Sequence, residues 1–257
     1  MKRRDRKIRG ETRDQSKVSD YARSSKQGPG YPWALVVIFF LLTGTFLFLR
    51  SPVFLVKNYM VTGAERVPYD EIVARSTQRS SNIFDLKLDK IQKAIETSPW
   101  IEEARCTRRF PNTLEITVIE RKPVVFAPIG EKIWLIDKEG RVLQEDDGIS
   151  EGLIALTGVS QLVAPGQFLD QAQYGWALTI ITQLGPVAQR RVIEVNVEHG
   201  ECMLILDDGC KVFIGEEQPG SETGLAVLES ILAELEEEAK IAEYIDLRFD
   251  KQAVKLK

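Results

Sequence analysis

Histidine is almost missing from this 257-residue chain: His199 is the only one. It stands beside Gly200 between two expected strands, so it reads as an exposed turn residue rather than a general base. Cysteine is scarce as well. Cys106, Cys202 and Cys210 include no close pair and there is a single histidine, so the ligand spacing of a zinc site is not present. Cys202 and Cys210 flank a hairpin expected around Asp208 and Gly209. There Cys202 pairs near Ile214 while Cys210 lies by the turn, too far apart for a disulfide, so buried or free thiols are expected. Also missing are Gly-x-Ser-x-Gly, a glycine-rich phosphate loop with its lysine, and His-Glu-x-x-His. Carboxylates are plentiful, yet Asp146-Asp147 and Asp207-Asp208 stand next to glycines, where turn chemistry accounts for them. No enzyme, cofactor, metal site or small-molecule substrate is expected.

Charge of either sign is missing from Trp33 to Leu49, and what lies on each side gives that gap a direction. Residues 1–30 hold ten Lys or Arg against four acids, while the whole chain carries a formal −4. Such a tail suits a nucleic-acid arm, an anionic lipid surface or a topology signal. The interspersed Asp5, Asp14 and Asp20 and the lack of interleaved aromatics argue against nucleic acid and for a disordered segment. The uncharged run makes about 26 Å of helix, slightly short of a ~30 Å hydrocarbon core. Arg50 can snorkel at its far end, Tyr31 and Trp33 suit the near interface, and Ser51 and Pro52 stop the helix. A transmembrane helix over 31–51 is expected, with the basic tail cytoplasmic by the positive-inside rule and the rest outside, a single-pass type II arrangement. A cleaved signal peptide is disfavoured because the apolar run exceeds the usual ~7–15 residues and no small-x-small site precedes Arg50.

Beyond the apolar run, residues 53–63 read as a strand ending at Gly63, and Pro68 with Asp70 and Glu71 starts a helix. Leu88, Ile91 and Ile95 mark a second helix that ends before Pro99. Ala104, Cys106, Arg108 and Phe110 then alternate, as do Leu114, Ile116 and Val118 after a Pro111-Asn112 turn. The order is strand, helix, helix, strand, strand. Further on, Ile133–Asp137 and Arg141–Leu143 bracket Gly140 as a hairpin, and Leu153–Leu156 is a short strand. A helix from about Asp170 to Leu184 presents Tyr174, Ala177, Leu178, Ile181 and Leu184. Ile193, Val195 and Val197 alternate, Met203–Leu206 and Val212–Ile214 flank Asp208-Gly209, and a last helix spans about Glu222–Lys240 with Leu228, Ile231, Leu232 and Leu235 as its stripe. Strands at Ile245–Phe249 and Val254–Leu256 close the chain. No repeat or low-complexity linker is evident, and Val124–Gly130, with Pro123 and Pro128, reads as a short junction.

Ser98, Pro99, Trp100 and Ile101 through Arg108, Pro111, Asn112, Leu114, Ile116, Val118, Glu120, Arg121 and Pro123 resemble the POTRA domain of the FtsQ/DivIB division proteins. The later strands and helices, with Tyr244–Phe249, resemble the β domain that follows it in that family. The expected class is α+β: a disordered tail (1–30), a transmembrane helix (31–51), a POTRA domain of β-α-α-β-β order (52–123) and a mixed β domain with two helices (124–257). The resemblance implies a non-enzymatic divisome scaffold at the septum that regulates septal peptidoglycan synthesis. It also implies that small bitopic partners, FtsB/DivIC-like and FtsL-like, dock on the closing strands. The matching positions are Tyr244, Ile245, Asp246, Leu247, Arg248, Phe249, Ala253, Val254 and Leu256. Physics alone leaves that edge open between accepting a strand and being charged, through Lys255 and Lys257, to prevent pairing.

Several residues have competing readings. Trp100, after Pro99, suits a core position or a binding face. Arg108 and Arg121 suit pairing with Glu115 or Glu120 across the hairpin, or an anionic partner. Glu236, Glu237 and Glu238 suit a solvated helix face. The alternative to a division scaffold is a POTRA-type chaperone or adaptor in polypeptide export or outer-membrane assembly. Such proteins usually carry tandem POTRA units, whereas one is legible in this chain. A cell-wall enzyme finds no motif to support it.

Overall fold

The computed structural model describes residues 32–76, 81–216, 222–249 and 252–257, so the expected basic tail lies outside the described residues. Two compact units, residues 1–49 and 50–257, make up the chain. The first contains helix α1 (Pro32–Leu49), apolar on every side and with its large side chains exposed. Its 18 residues reach about 27 Å. Among the described residues no helix is long and apolar enough to cross a membrane.

The second unit opens with a 3-10 turn at Pro52–Phe54 and strand β1 (Asn58–Thr62), shorter than the strand expected over 53–63. Helices α2 (Tyr69–Ser76) and α3 (Leu88–Ile95) follow, then β2 (Ile101–Arg109) and β3 (Thr113–Glu120). The strands form a sheet in the order β1-β3-β2, β1 parallel and β2 antiparallel to β3. Ile72, Ile91 and Ile95 from the helices meet Ile101, Leu114, Ile116 and Val118 from the sheet in one core. Gly63, at φ +84°, leaves β1 where a Cβ would collide with the Val118 carbonyl, so only glycine fits this exit. The Glu120 carboxylate then accepts the backbone N–H groups of Glu65, Arg66 and Val67 and fixes the approach to α2.

That use of Glu120 corrects the expected arginine pairs. Arg108 donates to the carbonyls of Ile83 (2.8 Å) and Leu86 (2.6 Å), pinning the loop before α3 to β2. Glu115 is taken by Thr107 and Arg109, and Arg121 reaches into the next domain. The reason is tertiary: cross-strand neighbours were plausible partners, but carbonyls and carboxylates from other elements offer drier contacts.

A nine-stranded mixed sheet dominates the rest. Its strands are β4 (Pro123–Ile129), β5 (Lys132–Asp137), β6 (Val142–Glu145), β7 (Ile154–Thr157), β8 (Val192–Asn196), β9 (Glu201–Leu206), β10 (Lys211–Glu216), β11 (Ala242–Asp246) and β12 (Ala253–Leu256). Their order is β12-β11-β10-β9-β8-β7-β4-β5-β6. Helices α4 (Gln171–Gln183), α5 (Pro186–Arg191) and α6 (Glu222–Glu237) share one core with the sheet, from Val125 and Ala127 to Leu204, Val212 and Ile245. The Asp170 carboxylate caps α4 by accepting the Ala172 N–H.

Three expectations change. Val124–Gly130 is not a junction: residues 123–129 form β4, with Val125, Ala127 and Ile129 buried on alternate positions. The domain has three helices among the described residues, not two, because the six-residue α5 is too short to show a period; Gly185 and Pro186 start it. Ile193 is exposed, since a bulge between Val192 and Glu194 shifts the register and sends Val192 inward instead. Trp100 is a core residue, and the three cysteines are free and buried. Burial foremost pushes the Cys106, Cys202 and Cys210 thiols up to about 11, 12 and 11.

The two domains meet across β5 and β6. Leu135 and Leu143 point away from the helices and complete the core of the three-stranded domain. The Trp100 Nε1 donates to Gln144 Oε1 at 2.9 Å. Arg121 Nη1 donates to Asp137 Oδ2 and to Glu139 Oε2, each at 2.6 Å, while Asp137 Oδ1 accepts the N–H groups of Glu139 and Arg141. Arg121 and Asp137 are both buried. Replacing Arg121 with Met strands the Asp137 carboxylate, and denaturant unfolding should show a loss of about 3–5 kcal/mol. Adding Asp137→Asn, which keeps the oxygen that accepts both N–H groups, should recover part of that loss.

Candidate functional site

A sheet of nine open strands has two edges, and here they are treated differently. At the β6 edge the segment 164–169 lies alongside: Val142 N–H donates to the Gln167 carbonyl, Gly166 N–H to Val142, and Leu169 N–H to Gly140. That edge is closed. At the other end β12 pairs with β11 on its inner side, in antiparallel register from Ala242↔Leu256 to Asp246↔Ala253. Among the described residues nothing pairs with its outer side. An unpaired strand edge offers a row of N–H and C=O groups to a further strand.

The nine sequence-derived positions divide sharply by environment. Ile245 is fully buried and packs in the sheet–helix core, so it supports the strand rather than meeting a partner. Leu247 is half-buried against the same core, and its N–H donates to the Phe213 carbonyl. Tyr244 and Asp246 are half-buried on the face away from the helices. Asp246 takes both the backbone N–H and the guanidinium of Arg248, which lies over the rings of Phe213 and Phe249 at 5.1 and 5.7 Å. Arg248, Phe249, Ala253, Val254 and Leu256 are exposed. The exposed set is therefore β12 and the bend that follows β11.

Helix α6 contributes what the sequence reading missed. Val254 and Leu256 share one face of β12, and with Ile231, Glu234, Leu235, Glu238 and Lys240 they line a groove of about 220 Å³. Ile231 was expected inside the helix stripe; it is half-buried at this groove. The signal was present as Ile231, Glu234 and Glu238 at offsets of three and four, an apolar position continued by acids on one helix face. Lys240 pairs with Glu238 at 2.7 Å, and on the other face of β12 Lys255 pairs with Glu243 at 2.6 Å. Lys257 anchors the strand end by donating its backbone N–H to the Ile241 carbonyl and its ammonium to that of Asp208. His199 lies on the 3-10 turn after β8, away from these strands in the sheet order, and its side chain is outside the described residues. Among the described residues no group of His, Cys, Asp and Glu could hold a metal ion.

Comparison with known proteins agrees with both halves of this architecture. A family model for the POTRA domain, FtsQ-type, matches residues 54–121, and one for cell division protein FtsQ/DivIB, C-terminal, matches residues 127–248. The chain belongs to the FtsQ/DivIB family. Cell division protein FtsQ of Myxococcus fulvus is 27% identical over 77% of this chain and 71% of its own length. FtsQ of Rickettsia prowazekii is 34% identical over 42% of this chain and 40% of its own, and DivIB of Clostridium acetobutylicum 35% over 44% and 47%. With the last two, the aligned part spans less than half of the relative. The 127–248 match takes in Tyr244–Arg248 but stops short of β12.

The Arg248 hydrogen bond holds the Asp246 carboxyl below its ordinary value, helped by the Arg248 N–H. A depressed folded value means stability that is present above the unfolded value of about 4 and lost as pH falls through the folded one. The protection factor of the Arg248 amide, its exchange rate relative to the intrinsic rate at the same pH, should therefore hold at neutral pH and fall in acid below that range. Asp246→Asn should remove this pH dependence.

Proposed function

We propose that this chain is a non-enzymatic, membrane-anchored scaffold of the bacterial divisome that takes a partner's strand on β12. The observation that carries this reading is the contrast between the closed β6 edge and the exposed β12, whose outer side has no strand partner among the described residues. Main-chain hydrogen bonds to an added strand would supply affinity, and the Val254–Leu256 groove against α6 would select alternate side chains. Glu234 and Glu238 at the groove favour a partner strand with apolar residues followed by a base. Membership in a family of cell division proteins supports reading small bitopic division proteins, FtsB/DivIC-like and FtsL-like, as the partners of this edge. Through them the scaffold regulates septal peptidoglycan synthesis.

Anchoring falls to α1. It is uncharged throughout and apolar around its whole circumference, a composition that water does not favour. Its few missing ångströms relative to a ~30 Å core are made up by local thinning and by Arg50 snorkelling at one end. The basic tail keeps the N-terminus in the cytoplasm and puts residues 50–257 outside. Confinement to one membrane raises the effective concentration of the edge toward other bitopic proteins.

Full-length tagged protein from cross-linked membranes should bring down bitopic division proteins, and a fluorescent fusion should mark the septum. Val254→Lys and Phe249→Lys, both at exposed positions, should weaken recovery roughly ten-fold, about 1.4 kcal/mol, without lowering the unfolding temperature. Leu162→Lys, at a position 85% exposed in the loop between β7 and α4, should change nothing. Uniform membrane fluorescence together with unaltered recovery would overturn the reading.

A further inference from the structure

Three aromatic rings from separate stretches of sequence converge at one end of the three-stranded domain. Phe54 belongs to the 3-10 turn that opens the unit, Phe84 to the loop before α3, and Phe110 to the turn between β2 and β3. Ring centroids are 5.1 Å apart for Phe54 and Phe84, and 5.2 Å for Phe84 and Phe110. Phe110 is 61% exposed, Val53 52% and Phe84 42%. Scattered exposed apolar residues are ordinary in a soluble domain, but a contiguous aromatic patch marks an interaction surface.

The patch is held ready rather than loosely draped. Ile83 N–H donates to the Phe54 carbonyl at 2.8 Å and Val56 N–H to Ser81, tying the first stretch to the second. Lys57 and Asn58 N–H groups both donate to the Asn112 carbonyl, tying it to the third. Arg108 locks the second stretch to β2 through the carbonyls of Ile83 and Leu86.

We propose that this aromatic tip lies in the headgroup layer of the bilayer that α1 enters, with phospholipid as its occupant. The proposal rests on the reading of α1 as an anchor. Phe54 is five residues beyond Leu49, so at full extension it lies no more than about 18 Å along the chain from the end of α1. The polar layer beyond the hydrocarbon is itself about 5–8 Å thick on each side. Aromatic side chains concentrate at that boundary. Lys57 and Lys87, each exposed and three residues along the chain from Phe54 and Phe84, supply charge that complements anionic lipid, while Arg50 is paired with Asp85. A tip seated there would restrict tumbling of residues 50–257 about the short 49–54 link and hold the domain close to the membrane.

The full chain is reconstituted into vesicles of phosphatidylcholine and phosphatidylglycerol, with one spin label on Phe110→Cys, Phe84→Cys, Leu41→Cys or Leu162→Cys. The native thiols are buried and hard to ionise, so the label goes to the introduced site. Collisions with oxygen, which enriches in lipid, and with an aqueous nickel reagent report depth. Expected are a deep label at 41, a water-like label at 162, and labels at 84 and 110 that lose nickel collisions and gain oxygen collisions. A deep label at 41 with water-like labels at 84 and 110 overturns the lipid contact while leaving the anchor intact. A water-like label at 41 overturns both. Shielding at 84 and 110 that follows protein density at constant lipid points to a protein occupant and overturns the assignment to phospholipid.

Discussion

Arg121 leaves the end of β3, enters the hairpin between β5 and β6, and places one guanidinium nitrogen between two carboxylates. The two folded domains are held in register by that clamp, by the apolar contacts beside it and by the Trp100–Gln144 hydrogen bond. Leu135 and Leu143 supply the larger share of the driving force, because burying apolar side chains contributes roughly 1.5–3 kcal/mol each. Their attraction is non-directional, however, and would tolerate a rotation or slide. The charged hydrogen bonds would not, since both acceptors come from one turn and Asp137 is itself fixed by the Glu139 and Arg141 N–H groups. Burial pulls the Arg121 guanidinium down, but the hydrogen bonds to Glu139 and Asp137 raise it above its ordinary value, so the clamp stays charged. It is not perfect: Arg121 Nε and Arg141 Nε are buried without a hydrogen-bond partner among the described residues. A buried pair of this kind contributes more to geometry than to net stability.

Fixing that geometry decides what happens at the far side of the sheet. With the β6 end occupied by the neighbouring domain and the 164–169 segment, the sheet can grow only at β12. A long, flat, apolar edge would invite self-association. This one is four residues long, carries Lys255, and is followed by Lys257, which is tied back to Asp208 and Ile241. In the proposed reading, the two possibilities that the sequence left open, a guarded edge and a receptive one, are combined. Charge on one face limits indiscriminate pairing, and Val254 and Leu256 on the other leave a place for a fitting strand.

Much of this was legible because periodicity reports burial directly. Leu114, Ile116 and Val118, and Tyr174, Ala177 and Leu178, fall inside as their spacing demands. The closing strands were legible through alternation and resemblance, yet alternation also marked Ile245, which is core. β4 was hidden by Pro123 and Pro128, residues that usually punctuate loops. The register explains the tolerance: β4 pairs with β7 only at Val125 and Phe126, so Pro128 lies beyond the stretch where that neighbour needs a donor. The partners of Arg108 and Arg121 were out of reach for a different reason. A guanidinium on a long flexible stem can serve several acceptors, and the choice among them depends on which carbonyls and carboxylates the folded chain has left unsatisfied.

The same logic explains why the site contains so little conventional chemistry. Catalysis needs groups held at a reacting atom and poised by perturbed ionisation. Among the described residues the thiols buried in cores are pushed up by burial, and carboxylates in turns, Glu139 and Asp246, are held down by hydrogen bonds from arginines. These are the marks of structural satisfaction. What the fold leaves unsatisfied is instead backbone, on the outer side of β12, and apolar surface, at Val254, Leu256 and Phe249 and at the aromatic tip. Unsatisfied backbone selects a strand, and unsatisfied aromatic surface next to cations selects an interface between oil and water.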